Sequence, residues 1–153
     1  FIEKAIYESC KIKKKIVEKD EKETALRKVL NFGHTFAHAY EASLGYSNKL
    51  NHGEAVILGM KTALTFSLNE NMLSKSEYSL IIKHIENSGL PYLLKKYFSA
   101  KDLNRILSFM IKDKKNNSEK INLVLLKKIG KPIFNKQYSK KNISLFLRNF
   151  LTN

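Results

Sequence analysis

The stretch "LNFGHTFAHAYEASLGYSNKLNHGEAV", residues 30 to 56, carries His34, His38 and His52, three of the four histidines in the chain. An imidazole near neutral pH can lend a bare ring nitrogen to a divalent metal or carry a proton between reacting groups. His34 and His38 stand four residues apart, so a single helix face would present both. The pair lacks the glutamate of His-Glu-x-x-His, and the zinc-protease reading therefore does not apply. A bare pair is a weak signal, but His52 strengthens it, because it heads the next helical pattern after a short loop and could return beside His34. A catalytic zinc commonly takes three protein ligands and leaves one place for water or substrate. His34, His52 and an acid would suffice, with His38 left for proton transfer.

Basic and amide side chains surround these histidines. Arg27, Asn31, His34 and His38 follow one another at intervals of four, three and four, which aligns them along one helical side if the break at Gly33 is mild. Guanidinium and amide groups beside a metal suit an anionic, hydroxyl-rich substrate. Each residue also has a plainer reading: Arg27 as an ion pair with Glu23, Asn31 as a helix cap. Lys13 shares a stripe with Ile6 and Cys10, which points it inward and not onto the outer face. The loop "DKKNNSEK" offers Lys114 and Lys115, which could wrap a phosphate, although a charge run is more often a solvated turn. His84 is remote from the other histidines in sequence and receives no role.

The elements that must position these groups are mostly helices. Apolar residues at three-and-four spacing predict a helix from Ile2 to about Val17. After the charged turn "EKDEKE", Asn31 is expected to cap a helix running to about Leu44, with Gly45 as its stop. Asn51 and Glu54 resemble a capping box that would start a helix at His52. Ser74 and Ser99 open two more helices, the first closed by Gly89 to Pro91. Strand signals occur in "INLVLLKKIGKPIFNKQY", which predicts one small hairpin over residues 121 to 138. The last pattern, "NISLFLRNFL", is an amphipathic helix. The expected class is all-α, a multi-helix domain with that one hairpin.

Composition narrows the remaining classes. At 153 residues and 43% hydrophobic the chain can bury one ordinary core. It contains no apolar run of about 18 residues, the length that spans a membrane. The single Cys10 excludes an internal disulfide framework and is consistent with a reducing compartment, so a cytoplasmic location is expected. The 28 Lys and Arg outnumber the 14 Asp and Glu, but the lysines are dispersed and Trp is absent, which disfavours a nucleic-acid surface. Opening on Phe1 inside a helical pattern, the sequence reads as part of something longer.

The order "R-x-x-LNFGHTFAHAYE … GY … L-x-HGEAV-x-x-GM" closely resembles the 3-dehydroquinate synthases. "CKIKKKIVEKDEKE" looks like that family's lysine-bearing helix and acidic turn, and "MIKDKKNNSEKINLVLLKKIGK" like its phosphate-binding lysine segment and hairpin. The resemblance implies an enzyme of the shikimate route that converts 3-deoxy-D-arabino-heptulosonate 7-phosphate to 3-dehydroquinate and phosphate, using NAD+ and a divalent metal, zinc or cobalt. It implies His34 and His52 as metal ligands and Lys13 and Arg27 as contacts to the substrate, most plausibly its carboxylate. Asn31 and His38 would stand near the phosphate, His38 helping it depart, and Lys114 or Lys115, with Lys115 favoured, would reach that phosphate. It implies a homodimer in the full-length enzyme and no nucleic-acid or membrane partner.

Two family features have no counterpart here: a glutamate ligand upstream of the Lys13 helix, and the Gly-rich NAD-binding domain. The chain is therefore expected to be most of a C-terminal metal- and substrate-binding domain, inactive alone. Ala37 replaces a frequent glycine, one small residue for another. Other sugar-phosphate cyclases share much of the pattern, and two further alternatives are a basic nucleic-acid-binding module and a non-catalytic metal-binding bundle. The bundle predicts that Lys13, Arg27 and Asn31 point away from the histidines.

Overall fold

The computed structural model describes residues 1–112 and 120–152. Six α-helices and one β-hairpin follow in order: α1 (Ile2–Lys19), α2 (His34–Ser43), α3 (His52–Asn69), α4 (Lys75–Asn87), α5 (Leu103–Lys112), β1 (Lys120–Lys128), β2 (Lys131–Ser139) and α6 (Lys140–Thr152). The expected class, mostly helical with a small antiparallel hairpin, is the one observed. Short 3-10 turns at Leu26–Asn31, Leu94–Lys96 and Ala100–Asp102 fill the connections.

Helix α1 is amphipathic in sequence but buries none of its residues. Ile2 and Ile6 remain 73% and 59% exposed, and Lys13 is exposed with them, contrary to the inward orientation that periodicity implies; only the end of the stripe, Ile16 and Val17, is partly covered, where α1 meets the 3-10 turn of residues 26–31. Periodicity finds the stripe but does not supply its partner. Asp20 ends the helix and organises the turn after it. One carboxylate oxygen accepts the Thr24 N–H at 2.9 Å and its hydroxyl at 3.1 Å, while the other accepts the N–H groups of Ala25 at 2.8 Å and Arg27 at 2.9 Å. The Arg27 amide is the largest of the influences that hold this carboxyl down to about 2, with Ala25 and Thr24 adding to it.

Helices α2 and α3 meet at two glycines. Gly33 has φ +80°, a left-handed conformation that suits glycine, and a Cβ there would lie 2.5 Å from the Met60 nitrogen. A Cβ on Gly59 would collide with the Gly33 carbonyl oxygen and approach the Ala37 nitrogen to 2.9 Å. Ala37 is fully buried, so a small residue is required there as well. A buried polar contact joins the same two helices: Tyr40 donates its phenol to the Thr62 hydroxyl at 2.9 Å, and Thr62 in turn donates to the Leu58 carbonyl at 2.8 Å.

The main core lies between α2, α3, α5, β1 and α6, around Phe36, Leu58, Phe66, Ile106, Leu125 and Leu147. Strand β1 alternates as a half-buried strand should, turning Ile121, Leu123 and Leu125 inward. Buried Ser67 ties that strand to α3, accepting the Leu126 N–H at 3.1 Å while donating to the Ala63 carbonyl at 2.7 Å. A smaller cluster, Leu64, Leu73 and Ile85, attaches α4. The expected helix starts hold at Ser74, which accepts the Glu77 N–H, and at Asn51, whose N–H donates to Glu54 at 2.9 Å in a capping box. The start near Asn31 does not hold: residues 26–31 form a 3-10 turn, and α2 begins at His34 behind Gly33.

Gly59→Ala is expected to lower stability by about 2 kcal/mol or more despite alanine's better helix propensity, because the methyl meets backbone that cannot yield. Gly53→Ala, where a Cβ meets nothing within 4 Å, should be neutral or stabilising by about 0.5 kcal/mol. Urea denaturation of the two variants checks both. Because the folded Asp20 carboxyl lies near 2 and an unfolded one near its ordinary 3.8, its contribution is complete above about pH 4 and fades as pH falls toward 2. Asp20→Asn should flatten that part of a stability-versus-pH curve and leave its upper part parallel to the parent.

Candidate functional site

The left-handed Gly33 ends the 3-10 turn and starts α2 with His34, so the break in the helical pattern sets where the site begins. His34 and His38 then occupy consecutive turns of α2 with ring centroids 5.6 Å apart. Helix α3 crosses at Gly59 and returns its first residue, His52, to within 5.9 Å of His34 and 6.1 Å of His38. The three imidazoles thus form a triangle contributed by two helices. Zn–N bonds of about 2.0 to 2.1 Å in tetrahedral geometry put two ligating rings roughly 5 Å apart, centroid to centroid. The His34–His52 separation lies within an ångström of that value.

The arrangement of protons at His34 and His52 favours ligation. His34 is half-buried, and burial, aided by the neighbouring His38 and His52, pushes its pKa below the usual value, while the Phe32 carbonyl and Glu41 oppose this. The His34 Nδ1 lies 3.3 Å from the Phe32 carbonyl oxygen. The His52 Nδ1 lies 3.1 Å from both carboxylate oxygens of Glu41. Carbonyl and carboxylate oxygens only accept, so each Nδ1 carries the proton and each Nε2 is left as a lone pair. The donor chemistry fits two positions of a metal shell. It fits no more, because no set of three His, Cys, Asp or Glu side chains close enough to hold an ion occurs among the described residues.

Beside the histidines is a cavity of about 110 Å³ lined by Lys28, Asn31, His34, Thr35 and His38 on one side and by the hairpin residues Asn122, Leu123, Val124 and Asn135 on the other. Thr35 donates to the Asn122 carbonyl at 3.1 Å, and Lys28 donates to the Asn135 side chain at 3.0 Å, so the hairpin is bonded to the site. The structure brings Asn31, His34 and His38 into this cavity; His52 is not part of its lining and meets the site through its ring contacts with His34 and His38. Asn31 does not cap α2; its amide donates to Glu23 at 2.6 Å.

Arg27 departs from the expected alignment, because a 3-10 turn rotates successive residues by about 120° and not 100°. Its guanidinium donates to the Glu21 carbonyl at 2.7 Å. Lys13 is exposed on α1 and lines no part of the cavity. Lys114 and Lys115 lie outside the described residues. Lys28, Thr35, Asn122 and Asn135 belong to the site without having been read from the sequence. Lys28 follows Arg27 directly and was discoverable from charge, whereas the hairpin asparagines carried no signal.

A larger cleft of about 700 Å³ opens elsewhere, between α3, α6 and residues 92–95. Burial lowers the pKa of its Lys61, whose amine sits 4.8 Å over the Tyr92 ring. None of the histidines or their neighbours reaches it. His84 is exposed on α4 and remote from the triangle. No helix among the described residues is long and apolar enough to cross a membrane.

Against known proteins, a family model described as 3-dehydroquinate synthase C-terminal matches residues 1–116. A 3-dehydroquinate synthase of Pelagibacter ubique is 60% identical over 152 residues, covering 99% of this chain and 41% of that protein. The chain thus spans about two fifths of the length of that curated relative. Among solved structures, a 2-epi-5-epi-valiolone synthase from Streptomyces hygroscopicus with NAD+ and Zn2+ bound shares the fold at TM-score 0.67 and 21% identity, over 89% of this chain and 36% of that one. A 2-deoxy-scyllo-inosose synthase complexed with carbaglucose-6-phosphate, NAD+ and Co2+ does so at 0.64 and 23%, over 83% and 35%. The matched residues run unbroken from α1 through the crossing of α2 and α3 and on past α5, and the chain belongs to the 3-dehydroquinate synthase C-terminal family.

Proposed function

We propose that this chain is the metal- and substrate-holding domain of a 3-dehydroquinate synthase, acting within a longer protein on 3-deoxy-D-arabino-heptulosonate 7-phosphate to release phosphate and form 3-dehydroquinate. The observation that carries the reading is the pair of Nε2 lone pairs left by His34 and His52 beside a small cavity with amide and ammonium groups in its wall. A divalent metal and NAD+, when bound, supply Lewis-acid polarisation of the substrate oxygens and reversible hydride transfer at C5. His34 and His52 would hold two positions of that metal. The third ligand and the nicotinamide site would come from the remainder of the protein, since the relative of 60% identity is more than twice as long as this chain. Without them this domain would be inactive.

Around the metal, His38 is exposed at the cavity mouth on the same face as His34 and is suited to accept or donate the proton that accompanies phosphate departure. Asn31 and Lys28 supply amide and ammonium donors on the cavity wall for an anionic, hydroxyl-rich substrate. For Lys13 and Arg27 as carboxylate contacts, and for Lys114 or Lys115 at the phosphate, the support is the motif register alone. The non-catalytic bundle is met halfway: Lys13 and Arg27 lie off the cavity as it requires, but Asn31 lines it. The other sugar-phosphate cyclases share the fold at 21% and 23% identity, and the 60% match favours the dehydroquinate reaction.

In the full-length protein, His34→Ala and His52→Ala should each weaken zinc binding at least tenfold. His38→Asn should leave metal content intact while lowering kcat by about 10² to 10⁴, the usual contribution of a general acid or base. Zinc titration, with phosphate release and 3-dehydroquinate formation followed in parallel, checks these outcomes. Metal affinity indifferent to both histidines would sink the assignment.

A further inference from the structure

The first turn of α3 leaves the His52 side chain 60% exposed, whereas the Glu41 side chain that meets it is only 12% exposed. The capping box at Asn51 and Glu54 fixes the backbone that carries His52 but does not touch the ring. Within the described residues, the hydrogen bond that restrains the ring is the one to Glu41, with both carboxylate oxygens at 3.1 Å. Glu41 lies one turn beyond His38 and two beyond His34 on the rigid α2, so the face that carries two of the imidazoles also carries the carboxylate that orients the third.

We infer that Glu41 is a positioning residue for the metal: it holds His52 in the Nδ1–H tautomer and turns its bare Nε2 toward the ion shared with His34. This rests on the metal-binding reading above. An exposed neutral imidazole left to water rotates and samples both tautomers, and the form protonated on Nε2 cannot ligate through that atom. A carboxylate on the far nitrogen removes both freedoms and raises the ring's basicity toward the metal. Glu41 reaches His52 through Nδ1, on the side of the ring away from Nε2, and so acts through the histidine and not on the ion.

The test uses the full-length protein labelled with ¹⁵N-histidine, together with cobalt(II) titration of the same samples. Before metal is added, His52 should show the Nδ1–H tautomer in the parent and in Glu41→Gln, whose amide oxygen still accepts, and a mixture in Glu41→Leu. Cobalt affinity should fall about 10- to 100-fold in Glu41→Leu, the usual effect of losing an outer partner, and less in Glu41→Gln. His52→Ala runs in the same titration. If His52→Ala weakens binding while Glu41→Leu changes neither affinity nor tautomer, the positioning role is overturned and the metal site stands. If Glu41→Gln is as damaging as His52→Ala, Glu41 is a direct ligand and positioning is again wrong. If His52→Ala binds cobalt like the parent, the metal reading itself fails and this inference goes with it.

Discussion

The contact between Gly33 and Gly59 is the constraint on which the site depends. Two backbones touch there with no side chain between them, and this closeness places α2 on α3 so that residues at the start of each helix become neighbours. His34 follows Gly33 directly, and His52 lies two turns before Gly59, so fixing the crossing fixes their separation. A side chain at either glycine would push the helices apart, and with them two prospective ligands of one ion. The buried Tyr40–Thr62 hydrogen bond holds the same interface further along.

Asp20 is a second organiser, of a different kind. Its carboxylate collects the N–H groups of the turn that follows α1 and so orders the segment leading to Lys28 and Asn31. An acidic residue in a charged turn would ordinarily be dismissed as solvated, yet here the charge is used locally to satisfy backbone donors. The hairpin then closes the cavity from the other side, held by Thr35 and Lys28 to Asn122 and Asn135. The site is therefore assembled from two helices, a 3-10 turn and two strands, none of which could form it alone.

The histidine triangle also has an electrostatic logic. Partial burial of His34 disfavours its charged form, and acceptors on the Nδ1 atoms of His34 and His52 direct the lone pairs outward.

The amino-acid sequence by itself determined the element types, the helix starts at Ser74 and Asn51, the hairpin, and the grouping of His34, His38 and His52, because these follow from local periodicity, capping and short-range spacing. It also carried the family, through blocks long enough to be specific. Only the tertiary structure decided where the cations point. A 3-10 turn in place of a helix rotated Arg27 off the expected stripe, the part of the α1 stripe that carries Lys13 stayed exposed, and Asn31 bonded Glu23 instead of capping. Glu41, Lys28, Asn122 and Asn135 entered the site through contacts between residues distant in the chain, and no local pattern encodes which loop or strand a crossing of two glycines will bring beside a given side chain.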